Sequence, residues 1–246
     1  MSFQWIRSLI FVGQIYLAMA VIGLAFMPWA LFSRKGAYAA CKTWCRWVMW
    51  SARWMVGIRC EVRGEVPQHE ALIASKHQSF LDIIMIFNAL PAGKFIMKKE
   101  ILYLPIIGQY AKRIGCVPVD RGKRGSAIEK MVRDVDAGRI EPGQLIIYSQ
   151  GTRVAPGQRL PYKVGTAILY DQLGQPCVPV ATNVGLLWPR KGIIRRPGVA
   201  VVEFLPEMKT GLSRAEFMSE LEASVEGRSD ALMADLGYVR KVDALD

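Results

Sequence analysis

His77 and Asp82 stand five positions apart in the stretch SKHQSFLD. An imidazole that donates one ring N–H to a carboxylate keeps its other nitrogen as a base toward a hydroxyl. That pair suits removal of a proton from an alcohol as it attacks a carbonyl. Asp82 also has a purely structural reading. Ser79 and Asp82 are spaced S-x-x-D, a capping-box variant with Ser79 as N-cap and Asp82 at the third helical position. The two readings are compatible, because the free N–H groups of a first helical turn favour a carboxylate there. The only other histidine, His69, lies in a Pro-Gln-His-Glu loop and reads as a surface group.

Basic residues gather at the ends of expected strands. Arg153 follows Gly151 and Thr152 directly after the apolar run Leu145–Ser149, Arg121 follows the run Gly115–Asp120, and Lys98 and Lys99 close the run Phe95–Lys98. In open α/β sheets, ligands collect outside the carboxyl ends of strands. Gly151 permits close backbone approach, and Arg153 offers a fork for a phosphate or carboxylate. Each cation alone fits a solvated surface. Together, beside a His–Asp pair that follows a further strand, they read as one site for an anionic substrate.

The elements that must position these groups alternate between strand and helix. Leu72–Ser75 reads as a strand and is followed by a helix through about Leu90. Residues 101–114 read as partly helical. Ser126 with Glu129, and Ser213 with Glu216, are capping boxes that open two further helices. The first stops near Gly138, and the second is faced by Phe217, Leu221 and Val225. A short helix is expected after Pro161, and Val178–Thr182 and Ala200–Leu205 complete the strands. The expected fold is therefore a single α/β domain over residues 59–246 with a largely parallel central sheet.

Residues 1–58 differ in kind. Between Arg7 and Arg34 there are 26 uncharged, mostly apolar residues, a length sufficient to cross a hydrocarbon layer. The stretch 41–58 carries Trp47, Trp50 and Trp54 at helical spacing, which suits an interfacial amphipathic helix or the return arm of a hairpin. Residues 1–60 hold seven Lys and Arg, no Asp or Glu, and six of the seven Trp. Basic and indole side chains beside apolar ones fit an anionic membrane surface. The net charge of +11 is thus assigned to lipid, and no nucleic-acid readout motif accompanies it. Residues 1–58 are expected to be a membrane-associated helical hairpin or a full span. The positive-inside tendency puts the active domain on the cytoplasmic side of the inner membrane. A weakly charged start and a long apolar run argue against a signal peptide.

Other chemistries are poorly supported. Cys41, Cys45, Cys60, Cys116 and Cys177 form no C-x-x-C pair and read as small buried hydrophobes. Neither a phosphate-binding G-x-x-x-x-G-K-[ST] loop nor clustered carboxylates for Mg²⁺ are present, so no metal or resident cofactor is expected.

Four blocks now stand in order: KHQSFLD, KKEILYLPIIGQYAKRIGCVPVDR, YSQGTR and CVPVATN. In that order and spacing, over about residues 70–185, the chain resembles the lysophosphatidic acid acyltransferase family of membrane glycerolipid acyltransferases. The resemblance implies His77 as catalytic base and Asp82 as its orienting partner. It implies Arg121, together with Gly151, Thr152 and Arg153, at the acceptor phosphate, helped by Lys98, and Pro179 near the acyl channel. It also implies acyl-CoA or acyl-carrier protein as donor, a lysophospholipid acceptor, and a bilayer as partner. The third block departs from the family pattern: Gln150 stands where Glu is usual. The amide removes a charge that would orient Arg153, so the expectation is a freer arginine and a more positive acceptor site. Acceptor identity then stays open between 1-acylglycerol-3-phosphate and another lysolipid such as lyso-ornithine lipid. A non-catalytic lipid-binding membrane protein is the remaining alternative.

Overall fold

A computed structural model describes residues 3–119, 133 and 143–238. Its first two elements are α1 (Phe3–Phe32) and α2 (Arg34–Met55), separated by Ser33 alone. The uncharged run lies inside α1, which continues through Pro28. Gly36 makes the reversal possible: a Cβ there would sit 2.8 Å from the backbone carbon of Trp29. The helices run antiparallel, so α2 is the return arm of a hairpin. Trp44 donates its indole N–H to the Ile15 carbonyl at 2.9 Å, and Trp47 donates to Gln14 Oε1 at 2.7 Å. Both of these indole N–H groups are thus paired inside the hairpin. That outer face is apolar: Ile10, Leu17, Val21 and Leu24 of α1 and Trp50 and Trp54 of α2 are exposed. Ala37, Ala40 and Ala52 of α2 are buried, their small side chains allowing close packing.

The sheet has seven strands: β1 (Ile58–Arg63), β2 (Leu72–Ser75), β3 (Lys94–Lys98), β4 (Val117–Val119), β5 (Leu145–Tyr148), β6 (Cys177–Thr182) and β7 (Gly198–Phe204). Their order is β1-β7-β6-β2-β5-β3-β4. The five strands from β6 to β4 are mutually parallel, as expected. β7 runs antiparallel to β6, and β1 follows β7 in parallel, so the far edge of the sheet is reversed. The sequence analysis passed over β1. Its burial alternates weakly and its charged residues face solvent, so it reads as linker.

Helices cover both faces, as the near-continuous apolar strands require. One face packs Ile73, Ile146, Val178 and Val180 against the hairpin, α3 (Leu81–Ala89) and α4 (Ile107–Ile114). The other packs Leu72, Ala74, Leu145 and Cys177 against α5 (Gly165–Leu173) and α6 (Arg214–Ala234). The expected capping box at Ser213 and Glu216 is formed in both directions. The expected helix from Ser126 to Gly138, with Asp120 and Arg121 before it, lies outside the described residues except for Arg133, which is helical.

The hairpin is fastened to the α/β body at both ends of α1. Gln4 donates to the Arg195 carbonyl at 2.6 Å near one end. Near the other, Tyr110 donates to the Gly23 carbonyl at 2.7 Å and Arg113 to the Ala30 carbonyl at 3.0 Å. Between them, Phe11 is fully buried with its ring edge-on to Trp188 at 5.4 Å. We expect Phe11→Ala to cost about 3–5 kcal/mol, read as a lower denaturant midpoint in detergent micelles. An unchanged midpoint would mean that the hairpin contributes nothing to the stability of the body.

Candidate active site

The five parallel strands bring the carboxyl ends of β2, β3, β4 and β5 to one edge of the sheet. The loop after β2 carries His77, and the loop after β5 carries residues 149–153. The two loops are joined by the Val154 N–H, which donates to the His77 carbonyl at 2.8 Å.

Asp82, in the first turn of α3, is fully buried. Its Oδ2 accepts from the backbone N–H groups of Gln78 at 2.8 Å and Ser79 at 2.7 Å. Its Oδ1 faces His77 Nδ1 at 2.8 Å. A carboxylate already accepting two N–H bonds offers Oδ1 as an acceptor, which places the ring proton on Nδ1 and leaves the Nε2 lone pair available. The structural reading of Asp82 is half realised. The carboxylate reaches back to the Ser79 N–H as a capping box requires, but α3 begins at Leu81, and Ser79 Oγ accepts from the Leu81 N–H at 3.1 Å. One side chain thus shapes the turn and orients the imidazole.

The imidazole lies flat on Tyr148, with ring centroids 4.0 Å apart and planes 19° from parallel. Tyr148 in turn stacks at 6.2 Å on Phe95. Burial first, and the Asp82 carboxylate second, hold the Tyr148 hydroxyl well above the usual phenol pKa, so it stays protonated. Burial pushes the Cys116 thiol up to about 11 and that of Cys177 to about 12. Neither is a ready thiolate nucleophile. Among the described residues, no cluster of His, Cys, Asp and Glu has the makeup of a metal site.

Residues flanking His77 are clamped from two directions. Lys76, 1% exposed, donates to Glu226 Oε2 of α6 at 2.5 Å. Gln78 accepts from the Gly185 N–H at 3.0 Å. Glu226 Oε1 accepts from Tyr162 at 3.1 Å and from Gln150 Nε2 at 3.4 Å. Lys76, Glu226, Tyr148 and Tyr162 were missed by the sequence analysis. Lys76 sits in a quoted block and Tyr148 opens another. Nothing in the local pattern of α6 marks Glu226, which is 149 positions from His77.

Gln150 is expected only to lack a charge that would orient Arg153; the structure adds partners for its amide. Its side chain is buried and turned toward Glu226 and the Leu160 carbonyl. The carboxylate that neutralises this pocket comes from Glu226, against Lys76. A Glu at position 150 would set two like charges side by side in the interior, and the amide avoids that. Gly151 adopts a left-handed φ of 68°, and Thr152 and Arg153 are partly exposed. Lys98 is exposed at the carboxyl end of β3, on the same edge of the sheet. Arg121 lies outside the described residues. His69 is exposed and pairs with Glu207 at 3.1 Å.

A family profile described as Acyltransferase matches residues 57–183. The chain belongs to the acyltransferase family. It is 27% identical over 202 residues to the 1-acyl-sn-glycerol-3-phosphate acyltransferase of Pseudomonas aeruginosa, covering 81% of this chain and 79% of that one. Against the 1-acyl-sn-glycerol-3-phosphate acyltransferase of Limnanthes alba it is 33% identical over 161 residues. That match covers 64% of this chain and 57% of the plant protein, so only a little over half of the plant protein is spanned. The fold matches the crystal structure of the 1-acyl-sn-glycerophosphate acyltransferase PlsC from Thermotoga maritima with a TM-score of 0.77 at 21% identity, covering 94% and 98% of the two chains. The acyltransferase therefore has the mostly parallel sheet of that fold, and its own N-terminal helix is long and apolar enough to cross a membrane.

We expect Gln150→Glu to lower stability by about 3 kcal/mol or more, measured by urea unfolding. Adding Glu226→Gln should return most of that loss. A neutral Gln150→Glu would refute the relocation of the charge to α6.

Proposed function

We propose that this acyltransferase moves a fatty acyl group from acyl-CoA or acyl-carrier protein to the sn-2 hydroxyl of 1-acyl-sn-glycerol-3-phosphate, forming phosphatidic acid. The observation that carries the reading is the buried Asp82 carboxylate held 2.8 Å from His77 Nδ1, at the strand edge where Arg153 also lies. In this reading His77 Nε2 accepts the hydroxyl proton as the acceptor oxygen bonds to the thioester carbonyl carbon. The carbon–sulfur bond then breaks, and the leaving thiolate takes the proton from the imidazolium. Asp82 holds the ring orientation and balances the charge that develops on it. Arg153, Arg121 and Lys98 bind the acceptor headgroup, with Gly151 and Thr152 shaping the approach. No resident cofactor enters the scheme.

The hairpin is the membrane-associated part, and residues 59–246 are the catalytic domain. Because both ends of α1 are bonded to the α/β body, a full crossing would drag that body into hydrocarbon. A one-leaflet hairpin is the topology this supports, with Ile10, Leu17, Trp50 and Trp54 in lipid and the Lys and Arg heads of α2 reaching to the cytoplasmic surface. The second reading, a different lysolipid acceptor, rests on Gln150 in the third block. The buried position of that amide weakens it.

The test is acyl transfer in detergent micelles from oleoyl-CoA and from acyl-carrier protein, offering 1-acylglycerol-3-phosphate, lyso-ornithine lipid and lysophosphatidylcholine in parallel. The phosphate acceptor should be preferred. His77→Ala should abolish transfer, and Asp82→Asn should lower kcat by about 10²–10⁴-fold. Preference for another lysolipid would overturn the acceptor assignment, and full activity in His77→Ala would overturn the mechanism.

A further inference from the structure

Between α1 and the loop that follows β6 lies a cleft of about 300 Å³. One wall is the apolar stretch Val12, Ile15 and Tyr16 of α1. Three arginines, Arg153, Arg190 and Arg195, also line the cleft. No Asp or Glu lines the cleft. Among the described residues, no carboxylate pairs with any of the three arginines.

Arg195 is the informative one. It is only 7% exposed, and its Nε is buried without a hydrogen-bond acceptor. Its backbone is strapped to α1: the N–H donates to Ser8 Oγ at 2.9 Å, and the carbonyl accepts from Gln4. Its guanidinium lies 4.7 Å from the centre of the Trp188 ring, and Nη1 donates to the Gly192 carbonyl at 3.0 Å. Burial lowers its pKa to about 10, which leaves it charged at neutral pH. A desolvated cation with an idle donor and no counter-charge is costly unless an anion completes it. Arg190, which is exposed, donates to the Arg153 carbonyl at 3.0 Å and so ties the second cation to the loop of the third.

Three guanidinium forks against an apolar wall suit a ligand with a hydrocarbon tail and more than one negative charge on a compact head. A phosphate monoester, with a second pKa near 6, carries about −1.5 to −2 at neutral pH; a zwitterionic headgroup leaves the cluster unbalanced. We propose that Arg190 and Arg195, together with Arg153, form a phosphomonoester subsite that selects the acceptor by its headgroup charge. This rests on the function proposed above and adds two arginines that lie outside all four sequence blocks.

The test compares wild type, Arg190→Gln and Arg195→Gln for transfer from oleoyl-CoA to 1-oleoylglycerol-3-phosphate and to lysophosphatidylcholine. Each variant should raise the KM for the phosphate acceptor at least tenfold, keep the KM for oleoyl-CoA within twofold, and shrink the preference over lysophosphatidylcholine by a similar factor. Arg190 is exposed, so Arg190→Gln decides the matter if Arg195→Gln fails to fold. An acceptor KM within twofold of wild type in Arg190→Gln would overturn the proposal. A second arm does not depend on turnover: calorimetric binding of dodecyl phosphate against dodecylphosphocholine to the His77→Ala protein, with and without Arg190→Gln. Selective binding of the phosphate that Arg190→Gln removes supports the subsite even if wild type acylates no acceptor, an outcome that would sink only the proposed function. Equal binding of both amphiphiles would sink the subsite while leaving the acyl-transfer reading intact.

Discussion

A carboxylate with no exposure to solvent must find its hydrogen bonds inside the protein, and Asp82 finds three within five residues of chain. That requirement dictates the local structure. The two backbone N–H groups pull the 78–79 turn tight against the start of α3, and the remaining oxygen captures the imidazole. Every other device around the site preserves this turn. Lys76 is pinned to α6, Gln78 to the loop after β6, and the His77 carbonyl to the loop after β5. The Tyr148 ring supports the flat face of the imidazole. The imidazole is therefore held from the sheet, from the next helix and from the C-terminal helix together, which is the rigidity the proposed proton transfer needs.

The second constraint is the unequal treatment of charge. In the interior beneath the site, Lys76 and Glu226 neutralise each other and Gln150 contributes only a dipole. The cleft beside α1 is lined by three arginines and, among the described residues, by no carboxylate. The same chain thus completes one buried ion pair and leaves a neighbouring cluster open. The physical difference between them is access: the first is sealed between β2 and α6, while the second opens along the membrane-associated helix.

The parallel sheet, the His–Asp pairing and both halves of the C-terminal capping box could be read from the sequence, because each is carried by short-range spacing. A short continuous apolar run marks β2, buried at every position, S-x-x-E marks α6, and five residues separate His77 from Asp82. What could not be read comes from distant parts of the chain meeting in space. Glu226 meets Lys76 across 150 positions, and Arg195 meets Ser8 across 187. No local pattern encodes either. The partner of Gln150 was hidden for the same reason: the amide is visible in the third block, but Glu226 lies on a helix 76 residues later. The edge strand β1 escaped because solvent-facing charges hide its alternation.

The docking of α1 has a consequence for how the protein is made. Phe11 needs Trp188, Gln4 needs Arg195, and β1 needs β7. At synthesis rates of roughly 5–20 residues per second, about 10–40 s pass between the emergence of the hairpin and that of its docking partners. Through that interval the surface of α1 that will meet Trp188 and Arg195, and the outer face of the hairpin, have no protein cover. A bilayer is the one environment that shields them while translation continues. An early meeting with lipid would let the body condense onto a helix pair whose outer face is already covered.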